Sequence, residues 1–123
     1  MGRKSQRKGI AGEMEILQLL KKCGIDAQRN EQMFVGGKDN PDISAKIGGR
    51  AIHFEVKRTE RFRLYEALEQ AQMDADGHRM PVVAHRMNRK PWVVVLTLED
   101  FLGIMKEHDF SDPEKELDQI AFI

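Results

Sequence analysis

Two glycines at positions 48 and 49 separate two stretches of alternating residues, and this pattern predicts a β-hairpin. If residues 42–47 and 50–57 are its strands, residues whose numbers sum to 97 face each other. Asp42 then lies opposite Glu55, with a Cβ separation of about 4.5–5.5 Å, and like charges at that spacing destabilise a sheet. The pairing therefore predicts a cation between the two carboxylates, and hence a divalent metal site.

The two faces of this hairpin differ because side chains alternate along a strand. One face is apolar and should pack on a helix; it carries Ile43, Ala45, Ile52, Phe54 and Val56. The other face is polar and carries Asp42, Ser44, His53, Glu55 and Lys57. Lys57 therefore projects from the same side as the two carboxylates. We expect His53 to be a polar neighbour of the acids rather than a metal ligand.

A third carboxylate lies on the apolar side of the first predicted helix, residues 9–23. With 100° of rotation per residue, Glu13 falls between Leu17 and Leu20 on that helix. A carboxylate on the core side of a helix is costly unless it is paired or binds a metal. Considered together with Asp42 and Glu55, Glu13 is predicted to belong to the same site.

The remaining elements follow from apolar periodicity and from turn residues. A short strand is possible at residues 25–29, followed by a polar loop at residues 30–40. A second helix is predicted at residues 64–75, and strands at residues 81–85 and 92–97, with Trp92 and residues 93–95 in the core. Thr97 and Asp100 form a capping pattern that opens a helix through about residue 105. This order predicts a mixed α/β domain with one central sheet flanked by helices.

We divide the chain into a flexible basic arm at residues 1–8, one domain at residues 9–105 and an acidic C-terminal extension at residues 106–123. Residues 1–98 contain 18 Lys and Arg against 12 Asp and Glu, whereas residues 99–123 contain two against eight. A basic body of this kind suits a nucleic-acid backbone as partner, and an ordinary solvated surface is an equally good interpretation of the charge alone.

The single cysteine, Cys23, cannot form an internal disulfide, which indicates a reducing, intracellular setting. The longest apolar run, residues 92–96, is far shorter than the roughly 20 residues that a membrane span needs. No apolar segment follows the basic N-terminus, so we expect neither a secretory signal nor a membrane partner. We expect a cytoplasmic protein, and bacteriophage origin is plausible for so compact a chain.

Pro41-Asp42 followed by Glu55-Val56-Lys57 resembles the PD-(D/E)XK nuclease signature. Within that superfamily the chain is similar to the archaeal-type Holliday junction resolvases over about residues 7–102. The matching segments are, in chain order, Lys8-Gly9 with Glu13, the Gly36-Gly37 loop, Pro41-Asp42-Ile43, Phe54-Glu55-Val56-Lys57, Tyr65 with Gln70, and Lys90-Pro91-Trp92. The resemblance implies a restriction-endonuclease-like fold, in which helices flank a mixed central β-sheet.

The resemblance also implies a role for each matching position. Glu13, Asp42 and Glu55 would hold the metal, and the carbonyl group of Val56 would complete its shell. Lys57 would be the catalytic lysine. Gln70 would support the site and contact the substrate. Because carboxylate oxygens select hard cations, we expect Mg²⁺, with Mn²⁺ able to substitute.

The implied function is a metal-dependent endonuclease that resolves four-way DNA junctions. Basic residues around the signature are expected to contact the DNA backbone: Arg3, Lys4, Arg7, Lys8, Arg58, Arg61 and Arg63. Because a four-way junction is two-fold symmetric and needs two cuts, we expect a homodimer.

Two alternatives stay open. Resolvases of this family commonly carry a serine in the glycine-containing loop before the PD motif, whereas Val35 precedes Gly36-Gly37 here. This departure favours a nuclease of the same fold that cuts flaps, nicked duplexes or linear DNA. The other alternative is a DNA-binding module without catalysis, although such a module does not need an acidic cluster on a basic surface.

Overall fold

The computed structural model of the 123-residue chain describes residues 3–30 and 43–107, with side chains from residue 9 onward. The helices are α1 (Arg3–Lys22), α2 (Leu64–Ala75) and α3 (Leu98–Glu107). The strands are β1 (Asp26–Arg29), β2 (Ile43–Ile47), β3 (Arg50–Arg58), β4 (Met80–Arg86) and β5 (Val93–Val95).

The strands form one mixed sheet in the order β1-β2-β3-β4-β5. β3 and β4 are parallel, and the other neighbouring strands are antiparallel. A parallel pair requires a long crossover connection, which α2 supplies. A central sheet flanked by helices is the predicted fold class.

The predicted hairpin register is confirmed for the described residues. Ile47 pairs with Arg50, and Ile43 pairs with Phe54. Gly48 and Gly49 have φ angles of 59° and 81°, a backbone conformation that glycine adopts without steric cost. Asp42 lies outside the described residues, so its pairing with Glu55 stays a prediction.

The main core lies between α1 and the sheet face that was predicted to be apolar. Its buried members are Ile16, Leu17, Ala27, Ile43, Ala45, Ile52, Phe54, Met80, Val82 and Ala84. A smaller cluster on the opposite face joins α2 to β4 through Ala67, Leu68, Ala71 and Val83. The two faces of β3 are therefore covered by different helices, α1 on one side and α2 on the other.

Two local predictions were wrong. The first helix, predicted to begin at residue 9, begins at Arg3, because Arg, Lys and Gln favour helix. Val93 and Val94 are 49% and 58% exposed rather than core, because β5 is a three-residue edge strand paired only with β4 within the described chain. Trp92 is half-buried and packs against the main core.

Candidate active site

Glu55 and Lys57 project from the same face of β3, toward α2, as the alternation predicted. Glu55 is only 1% exposed, and the Lys57 Nζ lies 3.6 Å from its Oε1 atom. A buried carboxylate requires a compensating charge or hydrogen bond. Since oxygen donors suit hard cations, this carboxylate fits a divalent ion such as Mg²⁺, with Asp42 as the predicted second carboxylate. The Val56 side chain packs on the opposite face, in the main core.

Lys57 opens onto a cleft of about 410 Å³ beside the end of β3 and the first turns of α2. The cleft is lined by Lys57, Thr59, Arg61, Phe62, Arg63, Glu66, Ala67 and Gln70. The fold thus gathers four predicted site residues around one concave surface: Lys57, Gln70, Arg61 and Arg63. Its cationic side chains suit a phosphate group.

His85 supports this cleft from the neighbouring strand β4. Its Nδ1–H donates a hydrogen bond to the Lys57 carbonyl oxygen at 2.9 Å. Its ring stacks on Phe62, with ring centroids 3.8 Å apart and planes 8° apart. His85 therefore fixes both the end of β3 and one wall of the cleft. Sequence reasoning missed this role, because it depends on the parallel register that places His85 beside Lys57.

Two further side chains, those of His53 and Asp74, lie close to Glu55 beneath α2. The His53 Nε2 atom lies 3.4 Å from Glu55 Oε2, and His53 is 1% exposed. One ligand atom each from His53, Glu55 and Asp74 lies within 4.8 Å of the others. Asp74 also accepts hydrogen bonds from the Gln70 Nε2 atom, at 3.1 and 3.0 Å. His53 was expected to be only a polar neighbour, and Asp74 was not singled out.

Glu13 is buried, at 6% exposure, as its position on the helix predicted. Its Oε1 accepts a hydrogen bond from Arg29 Nε at 3.2 Å. Arg29 pairs in register with Ile43, so Glu13 lies near the start of β2. α1 covers the face of β3 opposite to Glu55. Glu13 and Glu55 therefore approach the sheet from opposite faces.

The basic residues predicted to contact DNA lie on different surfaces of the protein. Arg61 and Arg63 line the cleft. Arg58 instead lies on the α1 side, where its Nε is 3.3 Å from Glu15 Oε2, and Arg86 binds the same carboxylate. Strand alternation accounts for this difference, because Arg58 shares its face with Phe54 and Val56. The other four belong to the first turns of α1, outside the described side chains: Arg3, Lys4, Arg7 and Lys8.

Comparison with known proteins identifies relatives of the chain. The model of the family described as archaeal Holliday junction resolvase (hjc) matches residues 4–102. A solved structure of Archaeoglobus fulgidus Hjc, a Holliday junction resolvase from an archaeal hyperthermophile, is 26% identical with a TM-score of 0.56. The match covers 71% of this chain and 75% of that chain, and it supports the restriction-endonuclease-like fold. No curated protein matches the sequence.

Proposed function

Because the chain belongs to the archaeal Holliday junction resolvase family, we propose that Asp42, Glu55 and Lys57 form its catalytic centre. The family makes the chain a metal-dependent endonuclease that acts on Holliday junctions. The observation that carries the residue assignment is the buried Glu55 carboxylate, which lies beside Lys57 at the edge of a cationic cleft.

Mg²⁺ is the ion that we assign to this centre, with Mn²⁺ as a substitute. Asp42, Glu55 and the Val56 carbonyl would hold it, because all three supply oxygen atoms. Glu13 would support the site from the α1 side without binding the ion, because Arg29 holds it on the opposite face of the sheet near the start of β2. When bound, the ion supplies Lewis-acid chemistry, polarising the scissile phosphate and activating a water molecule.

Lys57 places a positive charge where negative charge develops on the phosphorus-bound oxygens during hydrolysis. Its contact with Glu55 holds the ammonium group at the edge of the cleft. Gln70, across the cleft, is anchored by Asp74 one turn along α2, which leaves its amide oxygen for water or substrate. Gln70 thereby supports the site from α2.

Arg61 and Arg63 would bind the DNA backbone beside the scissile phosphate, because they line the same cleft as Lys57. The basic first turns of α1, with Arg3, Lys4, Arg7 and Lys8, would extend this contact. We leave Arg58 out of the DNA interface because Glu15 pairs with it on the other face. We propose a cytoplasmic enzyme, because the DNA substrate lies inside the cell.

A homodimer would supply the two active sites that a two-fold symmetric junction needs. Its interface would be the surface formed by β5 and α3, where α3 has no buried residue within the described chain. The exposed apolar residues of this β5–α3 face are Val93, Val94, Leu98, Phe101, Leu102 and Met105. Large apolar side chains exposed on an edge strand and on a helix of this kind suit a contact between subunits. We find no described helix that is long and apolar enough to cross a membrane.

The test compares wild type, Asp42→Asn and Asp26→Asn on a four-way junction, a flap and a linear duplex. Asp26 is an exposed acid of β1 and serves as the control. We expect Mg²⁺-dependent cleavage, fastest on the junction, by wild type and Asp26→Asn but not by Asp42→Asn. Undiminished cleavage by Asp42→Asn would overturn the residue assignment. Equal wild-type rates on the flap or linear duplex would instead favour a nuclease without junction preference, as Val35 in the glycine loop suggests.

A further inference from the structure

We propose that His53, Glu55 and Asp74 form a second metal site, which binds Zn²⁺ beneath α2. Their ligand atoms lie within 4.8 Å of one another, and His53 Nε2 is 3.4 Å from Glu55 Oε2. In a tetrahedral zinc site with bonds of about 2.0–2.1 Å, neighbouring ligand atoms lie about 3.3–3.4 Å apart. His53 and Glu55 already have that spacing, and a side-chain rotation of Asp74 would close the triad.

The donor types distinguish this site from the catalytic centre. Imidazole nitrogen and carboxylate oxygen are both zinc ligands, and three such ligands leave a fourth position for water. Mg²⁺ prefers an all-oxygen shell that keeps several waters, which a nearly dry site with a nitrogen ligand does not offer. Among divalent ions, affinity for such a set is higher for Zn²⁺ than for Mn²⁺.

The surroundings of the triad limit which ions can enter. His53 and Glu55 are both 1% exposed, and Asp74 comes from α2, which covers this face. Arg79 donates to the Asp74 backbone carbonyl at 3.3 Å and also to the Ser44 hydroxyl. This guanidinium charge opposes any nearby cation. Only an ion that the three ligands bind strongly can overcome this repulsion. We therefore expect Zn²⁺, and not Mg²⁺, to occupy the triad.

The two sites share one carboxylate, which gives Zn²⁺ a regulatory effect. Glu55 Oε1 faces Lys57, and Oε2 faces His53. An ion bound by His53 and Asp74 would draw Glu55 away from the catalytic Mg²⁺. Zn²⁺ would thus inhibit junction cleavage by occupying the triad rather than by replacing Mg²⁺. This regulatory effect rests on the proposed role of Glu55; zinc binding by itself does not.

The first experiment measures zinc binding without any activity. Tag-free wild type, His53→Gln, Asp74→Asn, Asp42→Asn and His78→Gln are titrated with ZnCl₂ by calorimetry in excess Mg²⁺. His78 is exposed and supplies the histidine control. We expect one bound Zn²⁺ in wild type, His78→Gln and Asp42→Asn. His53→Gln should weaken binding by more than about 100-fold, since even outer-shell changes cost 10–100-fold.

The triad is overturned if wild type binds no Zn²⁺, if His53→Gln binds it as tightly as wild type, or if Asp42→Asn abolishes binding. If circular dichroism shows that His53→Gln does not fold, Asp74→Asn provides the same test, because Asp74 is only half-buried. Visible absorption bands of four-coordinate Co²⁺, lost in either variant, would support the assigned ligands.

The second experiment measures Mg²⁺-dependent junction cleavage as Zn²⁺ is added, with each protein normalised to its own zinc-free rate. Zn²⁺ should slow wild type and His78→Gln at the concentration that fills the calorimetric site, and should leave His53→Gln unaffected. Equal inhibition of His53→Gln would refute the regulatory effect. If wild type cleaves no junction in zinc-free buffer with Mg²⁺, the proposed function is refuted. The calorimetric titration would still show whether the zinc site exists.

Discussion

At the scale of single residues, the Glu55 carboxylate has one oxygen facing Lys57 and the other facing His53, with almost no exposure to water. Electrostatic interactions are stronger in such surroundings than in bulk water. Substitutions of Lys57 and His53 should therefore have different effects. We expect loss of Lys57 to slow phosphate hydrolysis and loss of His53 to weaken zinc binding.

Lys57→Met removes the ammonium charge and keeps most of the aliphatic chain. We expect it to lower the single-turnover rate of junction cleavage by about 10²–10³-fold, because a preorganised charge at the transition state is lost. Lys46→Met, which changes an exposed lysine of β2, should leave the rate within a factor of about two. A rate for Lys57→Met close to that of Lys46→Met would refute the catalytic role.

The residue pattern of β3 was predictable because alternation and a two-glycine turn fix which side chains share a face. The same rule, applied to Arg58, would have placed it with Phe54 on the α1 side rather than at the DNA interface. Asp74 was not predictable in this way. Its approach to His53 and Glu55 depends on how α2 lies across the sheet, which no local pattern determines.

At the scale of elements, α1 lies unusually close to β3 at one point. A Cβ atom added at Gly12 would lie 2.9 Å from the Arg58 Cβ and 3.5 Å from the Trp92 ring. The Arg58 Cβ is fixed to the strand backbone and cannot move aside without moving β3. Glycine at position 12 thus permits the contact that places Glu13 against the sheet.

Gly12→Ala should destabilise the fold by about 1–3 kcal/mol, because overpacking forces the helix away from the strand. The Cβ atom added by Gly9→Ala on the same helix has no neighbour within 4 Å. This substitution should therefore be neutral, or stabilise the fold by up to about 1 kcal/mol. Urea unfolding curves of both variants measure the difference. Equal midpoints would show that α1 does not pack closely on β3 at Gly12.

The elements in the middle of the chain were predicted well because their signals are local. Gly77 follows the end of α2, and the Asp100 N–H donates to the Thr97 hydroxyl at 3.0 Å, as the capping pattern predicted. The start of α1 was harder, since a basic segment with good helix propensity has the composition of either an arm or a helix. The exposure of β5 depends on its place at the sheet edge, which alternation does not reveal.

At the scale of the whole molecule, the β5–α3 face carries six exposed large apolar side chains. This face is built largely on α3, of which no described residue lines the cleft, and β4 separates its strand β5 from β3 in the sheet. Two copies joined through it could each keep an open active site. The charge asymmetry seen in the sequence gave no indication of this face.

Leu102→Glu places a charge on α3 at a position that is 54% exposed in the single chain. We expect it to halve the mass that light scattering gives for wild type, because burying an unpaired carboxylate in the interface is costly. Met73→Glu, at a 70% exposed position of α2, should remain dimeric. A monomeric Met73→Glu with a dimeric Leu102→Glu would move the interface to α2.

The fold class and the family resemblance were predictable from the sequence because the hairpin, α2 and the PD-(D/E)XK pattern are strong local signals. The complete metal centre was not, since Asp42 lies outside the described residues and Glu13 reaches the sheet from the other face. The proposed catalytic centre therefore depends on whether the Asp42 and Glu55 carboxylates bind the same ion.

A crystal structure of the enzyme grown with Mn²⁺ and without Zn²⁺ answers this question through the anomalous signal of manganese. We predict a peak about 2.0–2.3 Å from carboxylate oxygens of Asp42 and Glu55 and from the Val56 carbonyl oxygen, with Lys57 beside it. A peak found only among His53, Glu55 and Asp74, or an Asp42 turned away from Glu55, would contradict the proposed catalytic centre.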